Sequence, residues 1–287
     1  MEHRVLDDRA RERLRYVRVR QGPVDLSRFP DFLVVGPQRT GTTWLHAHLR
    51  FHPDVFLAEP KELFFFNRLK DPSHPRFRSN ELEWYLSFFS DPWWRWLGKN
   101  LLTLARYGEF YRPRVRGEAT ASYAAMERDL IEEIHALNPR LKVVLTIRHP
   151  VDRAWSHAKK DLARNRGRRL EDVPPEEWKA FFLDPYQLRC GRYAELYETW
   201  AGVFGPENVF VGRFEDIATR PEGLLLDVLR FLGARAEPRF VPRSVRRVVN
   251  PTHRSEVPAE HRAFLSELFR DEIQRARERF GVDWALS

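Results

Sequence analysis

The sequence predicts an α/β fold in three layers, a central, mostly parallel β-sheet flanked by helices. Three observations predict it. Short apolar runs alternate with stretches of helical spacing along most of the chain, the pattern of strand-helix-strand units that pair in parallel. The run Phe32-Leu33-Val34-Val35 is continuous rather than alternating, as in a strand buried on both faces. It ends in Gly36, and a Gly/Thr-rich turn then leads directly into a helix.

The elements follow in order. Residues 1–28 are dense in arginine with few large apolar side chains, so they are expected to form an arm: a short helix, then an alternation at Val17 and Val19. The packed core is expected to begin at Phe29, with residues 29–287 as a single domain. After the Phe32 strand, a helix from Thr42 or Thr43 to Leu49 stops before Pro53, and Val55 to Ala58 forms a second strand. Ser79 to Ser90 and Trp93 to Arg106 suit two helices rich in aromatic residues. Val115 to Glu118 suits a strand. Tyr123 to Leu137 carries Met126, Leu130, Ile134 and Leu137 at helical spacing and stops at Asn138-Pro139. Leu141 to Ile147 is the clearest strand. Helices are expected at Val151 to Arg164, Tyr186 to Phe204 and Glu222 to Leu232, with a strand at Val209 to Val211. A loop from Pro238 to Thr252 and one long amphipathic helix, Glu260 to Phe280, complete the chain.

Composition narrows the function. A chain of 287 residues with 43% hydrophobic content can bury a full core, and the single cysteine, Cys190, excludes a disulfide framework within it. No apolar run approaches the roughly 18 to 20 residues that cross a bilayer, so no membrane span is expected. Charges at the N-terminus stand where a signal peptide needs apolar residues, which makes the cytoplasm the expected location. The net charge of +8 favours an anionic partner, and only seven of the 49 basic residues are lysine. Most of these arginines alternate with acids, as in Asp271 to Arg279, so named positions must carry the argument.

Gly36-Pro37-Gln38-Arg39-Thr40-Gly41-Thr42-Thr43 is the most informative stretch. Its Gly-x4-Gly spacing between strand and helix is that of loops whose backbone N–H groups cradle phosphate. Nucleotidase loops continue with Lys and a magnesium-holding hydroxyl, but Thr42 stands where that Lys belongs. Arg148 ends the later strand where a magnesium site would want an acid. An anion site of hydroxyls and arginine suits a transferred group of low charge, and a sulfuryl group carries about one negative charge fewer than a phosphoryl group.

These residues resemble the sulfotransferases that use 3′-phosphoadenosine 5′-phosphosulfate as donor. Pro37 to Leu45 is similar to their 5′-phosphosulfate loop, and Arg148-His149-Pro150-Val151-Asp152-Arg153-Ala154-Trp155-Ser156 to their 3′-phosphate segment, with Arg and Ser eight apart. Lys61-Glu62-Leu63-Phe64-Phe65-Phe66 resembles a stretch of the Golgi carbohydrate sulfotransferases, and Phe214-Glu215-Asp216 with Phe231-Leu232-Gly233 a shared C-terminal element. The match runs from about Asp31 to the end and leaves residues 70–112 unmatched.

The resemblance implies roles. Arg39 would contact the phosphosulfate and stabilise the bridging oxygen as the S–O bond breaks. Thr40 stands in the donor loop, where Gly41, Thr42 and Thr43 would donate hydrogen bonds. Trp44 would stack on the adenine or pack helix on sheet, and Arg148 with Ser156 would hold the 3′-phosphate. Glu62 would be the base for an acceptor hydroxyl or amine on a carbohydrate or small molecule, with His46 or His48 as local alternatives. Two positions depart from the pattern: many members have Lys where Arg39 stands, and Ala119 replaces a Lys of the Golgi-type motif, which weakens the case for a heparan-like acceptor.

No zinc-type ligand pattern occurs, so no metal is expected. Ser156-x-x-Lys159 matches a penicillin-binding motif whose companions are missing. The aromatic stretch Trp84 to Trp96 suits either a packed helical pair or an acceptor pocket. The competing functions are a P-loop kinase using ATP and magnesium, and a non-catalytic binder of polyanions or nucleic acid built from the arm and the Pro238 to Arg254 loop. Thr42 argues against the first, and the paired motifs make no nucleic-acid partner the expectation. The sequence assigns no oligomeric state.

Overall fold

A computed structural model describes residues 4–247 and 256–285. Five strands form one sheet: β1 Phe32–Val35, β2 Val55–Leu57, β3 Val115–Ala119, β4 Lys142–Ile147 and β5 Val209–Arg213. They lie in the order β2-β3-β1-β4-β5, every pairing is parallel, and β1 sits at the centre. Val34 is opposite Ala119 on one side and Val144 on the other. The strands are where the apolar runs placed them.

The pleat divides the core in two. Leu33, Val35, Val143 and Leu145 point to one face, where α5 Arg128–Leu137, α6 Pro150–Ala158 and α9 Tyr193–Phe204 cover them. Phe32, Val34 and Val144 point to the other, under α2 Thr42–Leu49 and α11 Pro221–Leu232. Every side chain of β1 is fully buried. This explains its unbroken apolar run, because helices lie on both sides of a parallel sheet.

Several helices differ from expectation, each for a local reason. The arm does not stand apart from the core. After α1, Asp8–Arg13, the Glu133 carboxylate accepts the backbone N–H groups of Arg15, Tyr16 and Val17, and Leu6, Val17, Val24 and Leu26 are buried with the main cluster. The packed core therefore begins before Phe29. The Ser79 to Ser90 helix is only α3, Leu82–Leu86, with a 3-10 turn after it, whereas α4 is full length at Trp93–Tyr107. The Tyr123 to Leu137 helix is a 3-10 turn, Ala121–Ala125, then α5, because Met126 and Glu127 are extended.

Spacing missed α7, Pro175–Leu183, altogether. The Tyr186 to Phe204 helix divides into α8, Pro185–Arg189, and α9. After the short α10, Asp216–Thr219, and α11, the last predicted helix divides at Phe269 into α12, Ala259–Leu268, and α13, Arg270–Phe280. The two breaks meet, since the Phe269 ring fills the space beside Gly191. The predicted Pro238 to Thr252 loop contains two 3-10 turns and then passes, at residue 248, outside the described residues, which hold Arg239, Arg243, Arg246 and Arg247 of the Pro238 to Arg254 segment but not Arg254.

Candidate functional site

The site forms at the carboxyl ends of β1 and β4, which pair through Val35 and Leu145, the usual place for ligands on a parallel sheet. Beyond β1 the chain must turn tightly. A Cβ at Gly36 would collide with the Thr146 hydroxyl. Thr40 donates to the Pro37 carbonyl at 2.7 Å, and its hydroxyl lies 2.6 Å from that of Thr146. Thr40 is therefore fully buried and positions the loop from inside. Gly41 opens α2 at φ 100°, with Ile217 and Phe214 filling the space where a Cβ would stand. The first helical bonds run from Trp44 and Leu45 to the Gly41 carbonyl. The N–H groups of Gly41, Thr42 and Thr43 are thus the ones a helix start leaves for a ligand, at its positive end.

The second segment meets this loop. Arg39 Nε donates to Ser156 Oγ at 2.9 Å, and Arg148 donates to the Arg39 carbonyl at 3.2 Å. Arg39, Arg148 and Ser156 are one constellation. Phe214 ties it together: its backbone N–H bonds to Ile147, its ring borders Gly41, and the Arg148 guanidinium lies over that ring at 4.2 Å. The neighbouring Glu215 carboxylate accepts the His149 N–H at 3.0 Å. The C-terminal element thus supports both anion-binding segments.

More positive charge converges here than the motifs named. Burial, then the charges of Arg148 and Arg164, hold Arg39 below its ordinary pKa. Burial also lowers Lys159, with Arg148 and Arg39 adding to it, and lowers Lys160, with Arg39 adding. The Glu62 carboxylate acts on Lys160 in the opposite sense. A cluster of partly desolvated cations that repel one another is the electrostatic counterpart of an anion. Lys159, Lys160 and Arg164 were missed as site residues. The signal was helical spacing: Lys159 and Lys160 are three and four residues past Ser156, where α6 runs on into a π-helical turn, Lys159–Ala163.

Glu62 is held at the β3 side. Its carboxylate accepts the Ala121 N–H at 3.0 Å and pairs with Lys61, while its own N–H bonds to the Ala119 carbonyl. Beneath it the fully buried Glu118 accepts from Tyr85 at 2.6 Å and Thr120 at 2.8 Å, and Thr120 in turn accepts the Leu63 N–H. Burial raises the Glu118 carboxyl to about 7, and the charge of Glu62 pushes the same way. Among the described residues, the non-glycine positions with positive φ are Arg39 at 79°, Glu62 at 69° and Phe64 at 54°. Backbone strain of this kind costs about 1–3 kcal/mol and clusters at functional sites. Here it falls on both expected catalytic side chains.

Other candidates are placed differently. Trp44 is 3% exposed in the α2/α11 core, its indole N–H donating to the Val245 carbonyl at 3.0 Å. It has no open ring face for an adenine and acts as a packing residue. Both ring nitrogens of His48 lie against backbone carbonyls, of Trp44 and Ser244. His46 is buried with its Nε2 unpartnered, and burial lowers it to about 4, with Lys61 and Arg50 adding. The aromatic stretch splits: Tyr85 and Phe89 are core, whereas Trp93, Trp94 and Trp96 are exposed, so the packed pair is corrected for its second half. Among the described residues, no three His, Cys, Asp or Glu side chains gather as metal ligands.

An α/β protein results in which the ends of adjacent parallel strands bring an arginine-bearing loop and a second arginine-serine pair together. A family model described as the Sulfotransferase family matches residues 30–238. The chain belongs to that family. It is 29% identical over 217 residues to the mouse bifunctional heparan sulfate N-deacetylase/N-sulfotransferase 4, covering 71% of this chain and 22% of that protein. It is 28% identical over 219 residues to the human N-deacetylase/N-sulfotransferase 3, covering 72% and 22%. The chain thus spans about a fifth of the length of these relatives. The crystal structure of a sulfotransferase from Alicyclobacillus acidocaldarius superimposes with a TM-score of 0.58 at 23% identity, covering 89% of this chain and 97% of that one. The sulfotransferase domain of the Synechococcus PCC 7002 olefin synthase does so at 0.53 and 18%, covering 89% and 96%. Both show the fold.

Proposed function

We propose that the chain transfers a sulfuryl group from 3′-phosphoadenosine 5′-phosphosulfate to a hydroxyl or amine of a carbohydrate or small-molecule acceptor. One observation carries the reading: the 2.9 Å bond from Arg39 to Ser156, which joins two anion-binding segments that stand 117 residues apart in the chain. The donor, when bound, supplies an activated sulfuryl group at one end and a second phosphate at the other. The residues present fit both ends. The Gly41 to Thr43 N–H groups, the Thr43 hydroxyl and Arg39 serve the first, and Arg148 with Ser156 the second.

Arg39 stays charged throughout, so it stabilises charge on a departing oxygen but gives it no proton. Lys160, whose charge interacts with both Arg39 and Glu62, adds a second cation near them. Glu62 is aimed by the Ala121 N–H and removes the acceptor proton. An amine acceptor has the support of the relatives' printed N-sulfotransferase activity. Ala119, where the Golgi-type motif has a Lys, weakens the case for a heparan-like polymer as acceptor.

The test is product analysis by mass spectrometry with this donor and a panel of amino and hydroxyl sugars. Glu62→Gln is expected to lower turnover by about 10²- to 10⁴-fold, the usual contribution of a positioned base, and to leave binding of adenosine 3′,5′-bisphosphate unchanged. Full turnover in the variant would remove Glu62 from the chemistry.

A further inference from the structure

Helix α4 is inside out. Its polar side chains face the protein: Lys99 bonds to Asp91 at 2.8 Å, the Asn100 carbonyl oxygen accepts the Tyr111 N–H at 3.1 Å, and Thr103 is buried. Its apolar side chains face outward. Trp93, Trp94, Trp96, Leu97, Leu101 and Leu104 are all exposed, Trp93 at 76% and Leu101 at 60%, and Phe110 follows beyond the helix end. Seven of the nine exposed large hydrophobics among the described residues lie between 93 and 110. A concentration of this kind marks an interaction surface, whereas scattered exposed leucines mark nothing.

Charge selects the occupant. Between Trp93 and Tyr107 there is no acid, and of the three cations Lys99 is turned inward onto Asp91, Arg95 is half-buried beside Glu59, and Arg106 is exposed. The acids nearby are already paired: Asp91 with Lys99, Glu59 with Arg50, and Glu109 with Arg235 and Arg239. Arg50 and Arg106 flank Phe51 at 5.2 and 5.0 Å, and Arg112 and Arg114 are exposed beyond the helix, which gives the stripe a basic rim. A second copy packed on this face would set cation against cation. An anionic lipid surface complements it, since tryptophan is favoured at headgroup depth, leucine below it and Arg at the rim. Among the described residues no helix is long and apolar enough to cross a membrane, so the stripe would lie in the interface.

We propose that α4 docks the protein on an anionic membrane surface, with its tryptophans at headgroup level and Leu97, Leu101 and Leu104 toward the acyl chains. Arg95 lies 4.0 Å from Glu59, three residues before Glu62, so the docked helix adjoins the segment that carries the proposed base.

The test is flotation of the full chain with phosphatidylcholine vesicles, with and without about 30% phosphatidylglycerol, alongside tryptophan emission. The protein is expected to float with the anionic vesicles, with a blue shift, and to bind pure phosphatidylcholine more weakly. Leu97→Glu with Leu101→Glu is expected to weaken binding roughly tenfold or more. Trp94→Ala, a milder change at an exposed site, is expected to weaken it less. No donor or acceptor is needed, so the result is independent of the proposed activity, and a cooperative denaturant transition of the variants verifies that they fold. Failure to float with either vesicle, or self-association abolished by the leucine substitutions without vesicle binding, would overturn the proposal.

Discussion

Helices α2 and α4 both carry tryptophan, yet Trp44 on α2 is 3% exposed and Trp93 on α4 is 76%. The difference lies in where the polar groups find partners. On α2 the indole N–H reaches the Val245 carbonyl and His48 bonds to backbone, so the aromatic side closes under α11 and the helix start is left to face an anion. On α4 the inward positions are Lys99, which reaches Asp91, Asn100, whose side-chain oxygen accepts the Tyr111 N–H, and Thr103, which bonds back to the helix's own carbonyls, and the aromatic side is turned out. Aromatic content alone therefore says nothing about burial. The α2 side of the molecule packs its aromatic residues inward, and residues 93–110 expose theirs.

Stability measurements sharpen this contrast. Trp44→Ala should cost about 3–5 kcal/mol, the usual loss for a buried aromatic, read from denaturant midpoints. A loss below about 1 kcal/mol would return Trp44 to the list of ligand contacts. The effect of Glu118 should be smaller and should depend on pH. The unfolded chain gives up this proton near the ordinary 4.5, whereas the folded protein holds it to about 7. The folded state then binds more protons across that window, so stability falls as pH rises from about 4.5 to about 7. Glu118→Gln should flatten that fall, and an unchanged profile would show that the carboxyl is ionised in the fold. Trp94→Ala should change stability by no more than about 0.5 kcal/mol, as for an exposed site. A large loss would mean that α4 is packed rather than open.

Much of this arrangement was legible beforehand. All five strands were placed, β1 most clearly because a run buried on both faces leaves little room for another reading, and so was the Arg39 loop, because a strand, two glycines and a helix leave few conformations. Helix breaks were not, since the breaks at Phe269 and Gly191 lie against each other although they are far apart in the chain. Lys160 was hidden because its role depends on the Arg39 guanidinium and the Glu62 carboxylate, which lie far away in the chain. The inverted face of α4 was hidden because spacing gives the stripe but not its direction.

The central claim is that Arg39 and Arg148 hold opposite ends of one ligand, and calorimetric titration with adenosine 3′,5′-bisphosphate tests it most directly. The wild-type chain should bind, and Arg39→Ala and Arg148→Ala should each weaken binding by about 1.5–3 kcal/mol, the value of a charged hydrogen bond. A dissociation constant unchanged in either variant would place the two arginines at separate sites and contradict the account.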